Sequence, residues 1–197
     1  MKIEVTKYGD PILRKKGKAV EEVTPEIIAL VENMLESMIT AEGVGLAAQQ
    51  VGEDLQICVI DVRPSERPSW MEIQGSQVDP VQHMPMVLIN PSLTFEEKTE
   101  IGAEGCLSFP NIFADIKRPA AIEVKALNLA GTEINFRCGG LLARAIQHEY
   151  DHLQGVLFID RMGFADRENC EESLHQLRSL TKERLKRKKF RNQSLSK

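Results

Sequence analysis

The sequence lacks any apolar segment long enough to cross a membrane. Its 197 residues contain no run of 18 or more apolar residues, the length at which a helix can span a bilayer. The first ten residues, MKIEVTKYGD, are charged and have none of the apolar core that secretory signals carry. We therefore expect a soluble, cytoplasmic protein with no membrane partner.

Cysteine is scarce, and the cysteines are widely separated. Cys58, Cys106, Cys138 and Cys170 form no CxxC pair. Without paired spacing or an export signal, a disulfide framework is disfavoured and reduced thiols are expected. Cys58, Cys138 and Cys170 are therefore interpreted as inert thiols.

The composition is that of a globular protein with an unevenly distributed charge. The chain is 42% hydrophobic and 27% charged, which is enough to bury a substantial core. Net charge is −4 overall and +7 in residues 181–197, which leaves −11 on the first 180 residues. An acidic body with a basic tail indicates a polyanionic partner, although a solvated C-terminal helix would have the same composition.

Three segments have the spacing of apolar residues that is typical of helices. The first begins at Thr24 and Pro25, a favourable N-cap followed by a favourable first position, and ends at Gly43. The second extends from about residue 140 to 154. The third begins near Asp166 and continues into the basic tail.

Short β-branched segments between these helices predict strands. They are LQICVIDV from Leu55, MVLIN (86–90) ended by Pro91, AIEVKALNL and TEINF as a hairpin around Ala130–Gly131, and VLFID after the second helix. Residues 63–85 contain four prolines and no clear period, so we expect a long loop or insertion there. The order of elements predicts an α+β fold of mostly antiparallel sheets around the second helix, with a C-terminal helix.

The predicted central helix carries the sequence QHEYDHLQG (147–155), with two histidines four residues apart. Such positions share one helix face with about 5–6 Å between their Cβ atoms, so His148 and His152 can bind one metal ion. Glu149 lies about 100° around the helix from His148, where a general base for metal-activated water belongs. The same helix is expected to face the core through Leu141, Leu142, Ala145, Ile146 and Leu153.

A catalytic metal site of this type needs a third protein ligand. A metzincin would place a histidine where Phe158 stands, so that class is excluded. A thermolysin-like peptidase would use a glutamate on a later helix, for which the candidates are Glu168, Glu171 and Glu172. The other source is Cys106 in EGCLSFP (104–110), on a turn between strands. The residues alone leave these two sources open.

Three segments in order resemble the signatures of the peptide deformylase family: GVGLAAQQVG (43–52), EGCLSFP (104–110) and QHEYDHLQG (147–155). The N-terminal YGDPILRKKGKAV is also similar to that family's opening. The resemblance implies a catalytic domain over residues 1–165, in which 63–85 is expected to be a loop insertion. A C-terminal helix with its basic tail would then occupy residues 166–197.

The activity implied by the resemblance is metal-dependent hydrolysis of the formyl group from the N-terminal formyl-methionine of nascent polypeptides, in a bacterial or organellar enzyme. The implied metal ligands are Cys106, His148 and His152, with water as the fourth. Iron(II) is the native metal that the resemblance implies, with nickel, cobalt or zinc as substitutes, although the ligands alone would also suit zinc. A metallopeptidase with a late glutamate ligand is one alternative, and a catalytically idle protein of the same fold is another.

Catalytic roles can be assigned to three residues. Glu149 can take a proton from the attacking water and pass it to the leaving nitrogen. By resemblance, the Gln50 amide and the backbone N–H of Leu107 would stabilise the oxyanion. Glu104 and Arg118 are expected to form an ion pair that holds the Cys106 turn, without a catalytic role.

Several residues around this site are assigned to substrate binding. An extended peptide could pair with the backbone of Val44 and Gly45, and Gly105 is also assigned to substrate binding. The methionine side chain needs an apolar pocket, which could be lined by Leu141, Ala145 and the aliphatic part of Arg144. His83 and His175 are interpreted as surface residues. The resemblance also implies that the basic tail docks on the ribosome near the exit tunnel.

Overall fold

Two antiparallel sheets and three α-helices form the part of the chain that the computed structural model describes, residues 3–195, with side chains up to residue 191. The helices are α1 (Pro25–Thr40), α2 (Gly140–Leu153) and α3 (Phe164–Leu195). The strands are β1 (Gly45–Ala47), β2 (Ile57–Ile60), β3 (Ser69–Ile73), β4 (Ser76–Val78), β5 (Met86–Phe95), β6 (Thr99–Cys106), β7 (Phe109–Pro119), β8 (Ala121–Leu127) and β9 (Glu133–Gly139). The predicted α+β class is confirmed.

The larger sheet has seven strands in the order β1-β2-β5-β8-β9-β3-β4, and β6 and β7 form a separate two-stranded sheet. Helix α2 lies centrally, because twelve of its fourteen residues are buried. Its apolar side chains pack on the larger sheet in one core cluster, while Arg144 and His148 reach Glu104 on β6. The helix that carries the histidine pair is therefore enclosed between the two sheets.

Residues 63–85 are not the loop that the sequence predicts. They contain the β3–β4 hairpin, which extends the larger sheet beyond β9, followed by a 3₁₀ turn at Pro80–His83. Gln74 and Gly75 at the hairpin turn both have positive φ, 50° and 76°, as the favoured two-residue turns require. The prolines that suggested a loop lie outside the two strands, where they remove no ladder hydrogen bond.

The start of α2 depends on this hairpin segment. Gly139 is the N-cap residue, and it has no side chain to bind the first N–H groups. Instead, the Pro68 carbonyl accepts a hydrogen bond from the Leu141 N–H at 2.9 Å, and the Ser69 hydroxyl accepts one from the Leu142 N–H at 3.1 Å. Backbone donors at a helix start need such acceptors, so the segment before β3 acts as the cap of the central helix.

Strand β5 does not stop at Pro91 but continues to Phe95. Its pairing with β8 shifts register between Ile89 and Ser92. A proline is tolerated at such an irregularity because no regular ladder bond is lost there. The predicted end of this strand is thus corrected.

The segment VLFID is not a strand either. Phe158–Asp160 form a 3₁₀ turn, in which the Asp160 carboxylate accepts a hydrogen bond from the Leu157 N–H at 2.9 Å. Leu157, Phe158 and Ile159 are all buried in one core cluster with Leu13 and Phe109. The consecutive apolar residues favoured a strand, whereas the Asp160 carboxylate, three residues after Leu157, stabilises a tight turn.

The first and last helices agree with their predicted positions. Helix α1 begins after Thr24, although the Thr24 side chain makes no capping hydrogen bond. The inner face of α1 is buried through Val31, Met34 and Met38. Helix α3 packs through Leu174 against the cluster around Phe109.

Most side chains of α3 from Lys182 to Arg191 are exposed, and the side chains of residues 192–197 lie outside the described residues. In the described part of the chain, no helix is long and apolar enough to cross a membrane.

The residues interpreted as inert have ordinary surroundings. Cys58 and Cys138 are buried, Cys170 is partly buried, and all three are free thiols. Burial raises the pKa of Cys138 to about 12, so this thiol stays protonated. His83 and His175 are exposed.

Candidate active site

A cleft of about 470 Å³ runs along α2. Residues 43–45 form one wall, residues 103–107 of β6 and its turn form the other, and α2 forms the floor. The cleft is lined by Glu149, Gln50, Leu107, Cys106, His148, Val44, Gly45, Gly105, Leu141, Arg144 and Ala145. All the predicted site residues except His152 thus line one cavity, and His152 lies just behind Cys106.

Three potential metal ligands converge at the end of the cleft. The ligand atoms of Cys106, His148 and His152 all lie within 4.8 Å of one another, and they are the one such group among the described residues. The Cys106 sulfur is 3.3 Å from Nε2 of His152. Bonds of roughly 2.0–2.3 Å to a tetrahedral ion place ligand atoms roughly 3–4 Å apart. The spacing therefore fits one divalent cation.

The His148 ring is oriented by Glu104. Nδ1 of His148 lies 3.0 Å from Oε2 of Glu104. Burial by itself would raise the pKa of Glu104, but hydrogen bonds from His148 and Arg118 outweigh it and lower that pKa to about 2. An ionised carboxylate can only accept a hydrogen bond, so Nδ1 carries the proton and Nε2 is left for a metal.

His152 is suited to the same role by its electrostatic surroundings. Burial lowers the pKa of His152 well below its usual value, and the positive charge of Arg118 acts in the same direction. The ring is therefore neutral, as a metal ligand must be. Its Nδ1 is buried and has no hydrogen-bond partner among the described residues.

The predicted ion pair between Glu104 and Arg118 is present and belongs to a larger buried network. Arg118 donates from Nε to Oε1 of Glu104 at 2.6 Å and from its NH2 group to Oε2 at 2.9 Å. It also donates to Asp151 at 2.8 Å, and Asp151 accepts two further bonds from Arg161. Buried charges need such partners, and the network joins the Cys106 strand to α2.

Glu149 points from α2 toward the wall formed by residues 43–45. It is 4% exposed, and its Oε2 has no hydrogen-bond partner among the described residues. A Cβ atom on Gly45 would lie 2.4 Å from its Oε1, so only glycine leaves room for the carboxylate. Burial raises the pKa of Glu149 to about 7, which is the range expected of a group that both accepts and releases a proton.

The Gln50 amide points at the ligand cluster. Its Oε1 accepts a hydrogen bond from the Ala47 N–H at 2.8 Å, which turns Nε2 toward Cys106 at 3.5 Å and Ser108 at 3.2 Å. Leu107 follows Cys106 in the turn between β6 and β7 and lines the cleft. Two potential donors thus lie beside the cysteine ligand.

The aliphatic part and the guanidinium of Arg144 lie in different surroundings. The residue lines the cleft with Leu141 and Ala145, but its guanidinium is buried and donates to Glu104 at 2.8 Å and to the Ile116 carbonyl at 2.8 Å. The charge is thus neutralised away from the cleft, so the aliphatic part can form an apolar wall.

The cleft also contains residues that the sequence does not single out. Lys7 donates to the Leu107 carbonyl at 2.7 Å, Phe113 packs over Gly105, and Arg67 donates to the Ala103 carbonyl at 3.2 Å. No motif contains them, and their positions depend on how distant segments meet. The N-terminal segment brings Lys7, and the hairpin segment brings Arg67.

The competing ligand source is disfavoured by geometry. Glu168, Glu171 and Glu172 are exposed on α3 and are not part of the ligand group. A larger groove of about 820 Å³ lies at the β3–β4 hairpin, but Cys106 and both motif histidines are outside it. The cleft along α2 is therefore the candidate active site.

Similar proteins match almost the whole chain. The peptide deformylase of Methylacidiphilum infernorum is 44% identical over 178 residues, which cover 90% of this chain and 94% of that protein. That of Opitutus terrae is 41% identical over 184 residues, with coverage of 92% and 96%.

Solved structures resemble this fold over a similar extent. A point mutant of peptide deformylase 1B of Arabidopsis thaliana superposes with a TM-score of 0.79 at 33% identity, covering 92% of each chain. The Synechococcus elongatus enzyme, solved in complex with actinonin, has a TM-score of 0.74 at 36% identity, covering 89% of this chain and 85% of that one. The polypeptide deformylase family matches residues 2–168, and the chain therefore belongs to the polypeptide deformylase family, whose members are metal-dependent hydrolases.

Proposed function

We propose that this enzyme removes the formyl group from formyl-methionine at the N-terminus of nascent polypeptides, releasing formate and a free amine. The observation that carries the proposal is the convergence of Cys106, His148 and His152 with Glu149 and the Gln50 amide in one cleft. This arrangement would bring a metal ion, a general base and a hydrogen-bond donor for the oxyanion to the same amide bond of a bound substrate.

The cation would be held by the sulfur of Cys106 and by Nε2 of each histidine. A divalent ion there would supply Lewis acidity for the attack of water on the formyl carbon. Iron(II) is the native ion we propose, with nickel, cobalt or zinc able to replace it, because thiolate and imidazole ligands suit all four. The neutral His152 ring and the fixed proton on Nδ1 of His148 support the roles of both histidines as ligands.

Glu149 would take the proton from the attacking water and deliver it to the departing nitrogen. Its burial and its unpartnered Oε2 support this role, since the carboxylate is free to bind a water proton. Such positioned proton transfer typically accelerates a reaction about 10²–10⁴-fold.

Gln50 and Leu107 would donate hydrogen bonds to the oxygen that becomes negatively charged. The Nε2 group of Gln50 is held in place through its own Oε1, so little reorganisation is needed. The backbone N–H of Leu107 would be the second donor. One donor of this kind is typically worth about 10²–10³-fold in rate.

The substrate would lie extended between the two walls of the cleft. Its backbone would pair with Val44 and Gly45 on one side and with Gly105 on the other. The methionine side chain would enter along α2, against Leu141, Ala145 and the aliphatic part of Arg144.

Residues 1–165 would form the catalytic domain, and residues 166–197 a helix that docks the enzyme on the ribosome near the exit tunnel. The described end of α3 presents an exposed series of basic side chains, Lys182, Arg184, Lys186, Arg187, Lys188, Lys189 and Arg191. Ribosomal RNA is a polyanion that such a surface would bind. Because ribosomes make the substrate, we propose that the enzyme acts in the cytoplasm.

Hydrolysis of formyl-Met-Ala by the purified, metal-loaded enzyme tests the proposal. We expect equal amounts of formate and free Met-Ala, with no release of free alanine. Cleavage of the Met–Ala bond without formate would instead support the metallopeptidase alternative. Chelator-treated protein serves as the control, and its activity should return when iron(II) is added without oxygen.

A further inference from the structure

We propose that Arg67 is a specificity-determining residue, which closes one end of the cleft and limits the length of the first side chain of the substrate. The inference rests on the proposed function, because that function assigns the first side chain to the pocket along α2. Arg67 lines this cleft although it belongs to the segment before β3, far from the three sequence motifs.

The backbone on the C-terminal side of Arg67 is firmly anchored. Pro68 and Ser69 accept hydrogen bonds from the N–H groups of Leu141 and Leu142, the second and third residues of α2. Trp70 packs so tightly on Gly139 that a Cβ atom there would lie 2.2 Å from its Nε1. Arg67 is therefore delivered to a fixed place at the N-terminal end of the cleft floor.

The Arg67 side chain then reaches the β6 wall of the cleft. Its guanidinium donates a hydrogen bond to the Ala103 carbonyl at 3.2 Å, and Ala103 lies on β6, three residues before Cys106. Arg67 thus connects the N-terminal end of the cleft floor to the β6 wall, at the end remote from the metal ligands.

A second cavity, of about 140 Å³, lies directly beyond this bridge. The two cavities share three lining residues, Arg67, Leu141 and Arg144. Leu141 is fixed in the helix, and the Arg144 guanidinium is fixed by Glu104 and Ile116. Arg67 is exposed, and its side chain makes one hydrogen bond, to Ala103. Of the three residues that separate the two cavities, it is therefore the one that can be shortened without disturbing the core.

Shortening Arg67 would therefore join the 470 Å³ cleft to the 140 Å³ cavity. The enlarged pocket would accept a longer straight chain than methionine. A single methylene that an apolar pocket accepts or rejects typically changes kcat/KM by about 10–200-fold. Selectivity for chain length, rather than overall activity, is thus the property that Arg67 controls.

The test compares Arg67→Ala with Arg63→Ala in the holoenzyme. Arg63 is an exposed arginine of the same segment, but it pairs with Asp61 and lies outside the cleft. The substrates are formyl-norleucyl-alanine, whose side chain has the length of methionine, and formyl-2-aminooctanoyl-alanine, which is two methylenes longer. The measured quantity is the ratio of their kcat/KM values, with formyl-Met-Ala as reference.

We expect the wild-type protein and Arg63→Ala to reject the longer substrate, and Arg67→Ala to accept it at least about tenfold better relative to norleucine. An unchanged ratio in Arg67→Ala would overturn the role of Arg67 while leaving the deformylase activity intact. Failure of the wild-type protein to hydrolyse formyl-Met-Ala would overturn the proposed function, and the inference with it. Thermal unfolding of both variants controls for folding.

Discussion

The Glu104 carboxylate accepts a hydrogen bond from Nδ1 of His148 at 3.0 Å, and this contact determines which ring nitrogen can face a metal. Both oxygens of Glu104 are held by arginines as well, since Arg118 binds each of them and Arg144 binds Oε1. A ligand ring that is fixed through its other nitrogen loses little freedom when it binds a metal. The buried ion network therefore supports the candidate metal centre.

Glu104→Gln should weaken metal binding without removing a ligand. The amide keeps the shape of the carboxylate but loses the charge that holds the proton on Nδ1 of His148. Changes to such supporting groups typically cost about 10–100-fold in metal affinity. Competition between the apo protein and a chromophoric chelator for Zn²⁺ measures this loss. Glu100→Gln, on the same strand but exposed, is the matched control and should bind as the wild type does.

Cys106→Ala should abolish stoichiometric metal binding. The cysteine supplies one of three protein ligands, and two histidines alone leave the ion with too few. Elemental analysis of the purified protein gives the metal content. Cys170→Ala removes a partly buried thiol on α3 that is outside the ligand group and should retain one ion. A full complement of metal in Cys106→Ala would favour a glutamate as the third ligand.

Glu149→Gln should keep the metal and lose most of the turnover. The side chain is not among the ligand atoms, and glutamine cannot accept and release a proton. We expect kcat for formyl-Met-Ala to fall by about 10²–10⁴-fold, with unchanged metal content as the internal control. A variant that turned over at nearly the wild-type rate would show that another group moves the proton.

Gly45→Ala should disturb the same carboxylate from the other wall. The added Cβ atom would lie 2.4 Å from Oε1 of Glu149, so the side chain must move. Overpacking of a buried site typically costs about 1–3 kcal/mol of stability, and activity should fall beyond that effect. Gly163→Ala is the matched control, since nothing lies within 4 Å of its Cβ position. Thermal unfolding and kcat measured on both variants separate the two effects.

The central helix and its ligand pair could be predicted from the sequence because the information is local. The spacing of His148 and His152 and the apolar residues of α2 depend on helix periodicity alone. The resemblance then connected Cys106 and Gln50 to this helix, and the structure brings them into contact with it or its surroundings. Residues 121–139 form the predicted hairpin for the same local reason.

The parts that could not be predicted depend on contacts between distant segments. Residues 63–85 looked irregular because their prolines and short strands lack a clear period, and the hairpin is stabilised by pairing with β9. The Asp160 carboxylate that closes the 3₁₀ turn at Phe158 is itself held by Arg14, which lies far away in the sequence. Arg67 reaches the cleft only because the neighbouring backbone caps α2. No local pattern encodes these placements.

The basic end of α3 should be needed for ribosome binding but not for hydrolysis of a small substrate. Truncation at residue 180 would remove Thr181, which is buried, and Arg184, which pairs with Glu4. Neutralising exposed charges farther along the helix therefore gives a cleaner variant, in which Lys186, Arg187, Lys189 and Arg191 all become glutamine. Each phosphate contact contributes about 0.7–0.9 to the slope of log affinity against log salt, so four lost contacts should reduce this slope by about 3.

Co-sedimentation with ribosomes over a range of salt concentrations measures that slope. The matched control neutralises four exposed lysines elsewhere on the surface, Lys16, Lys98, Lys117 and Lys125. It changes the net charge by the same amount, so it should pellet as the wild type does if the tail forms the contact. Equal loss of pelleting in both variants would mean that overall charge, not the tail, drives binding. Both variants should hydrolyse formyl-Met-Ala at the wild-type rate, because none of the eight substituted residues lines the cleft.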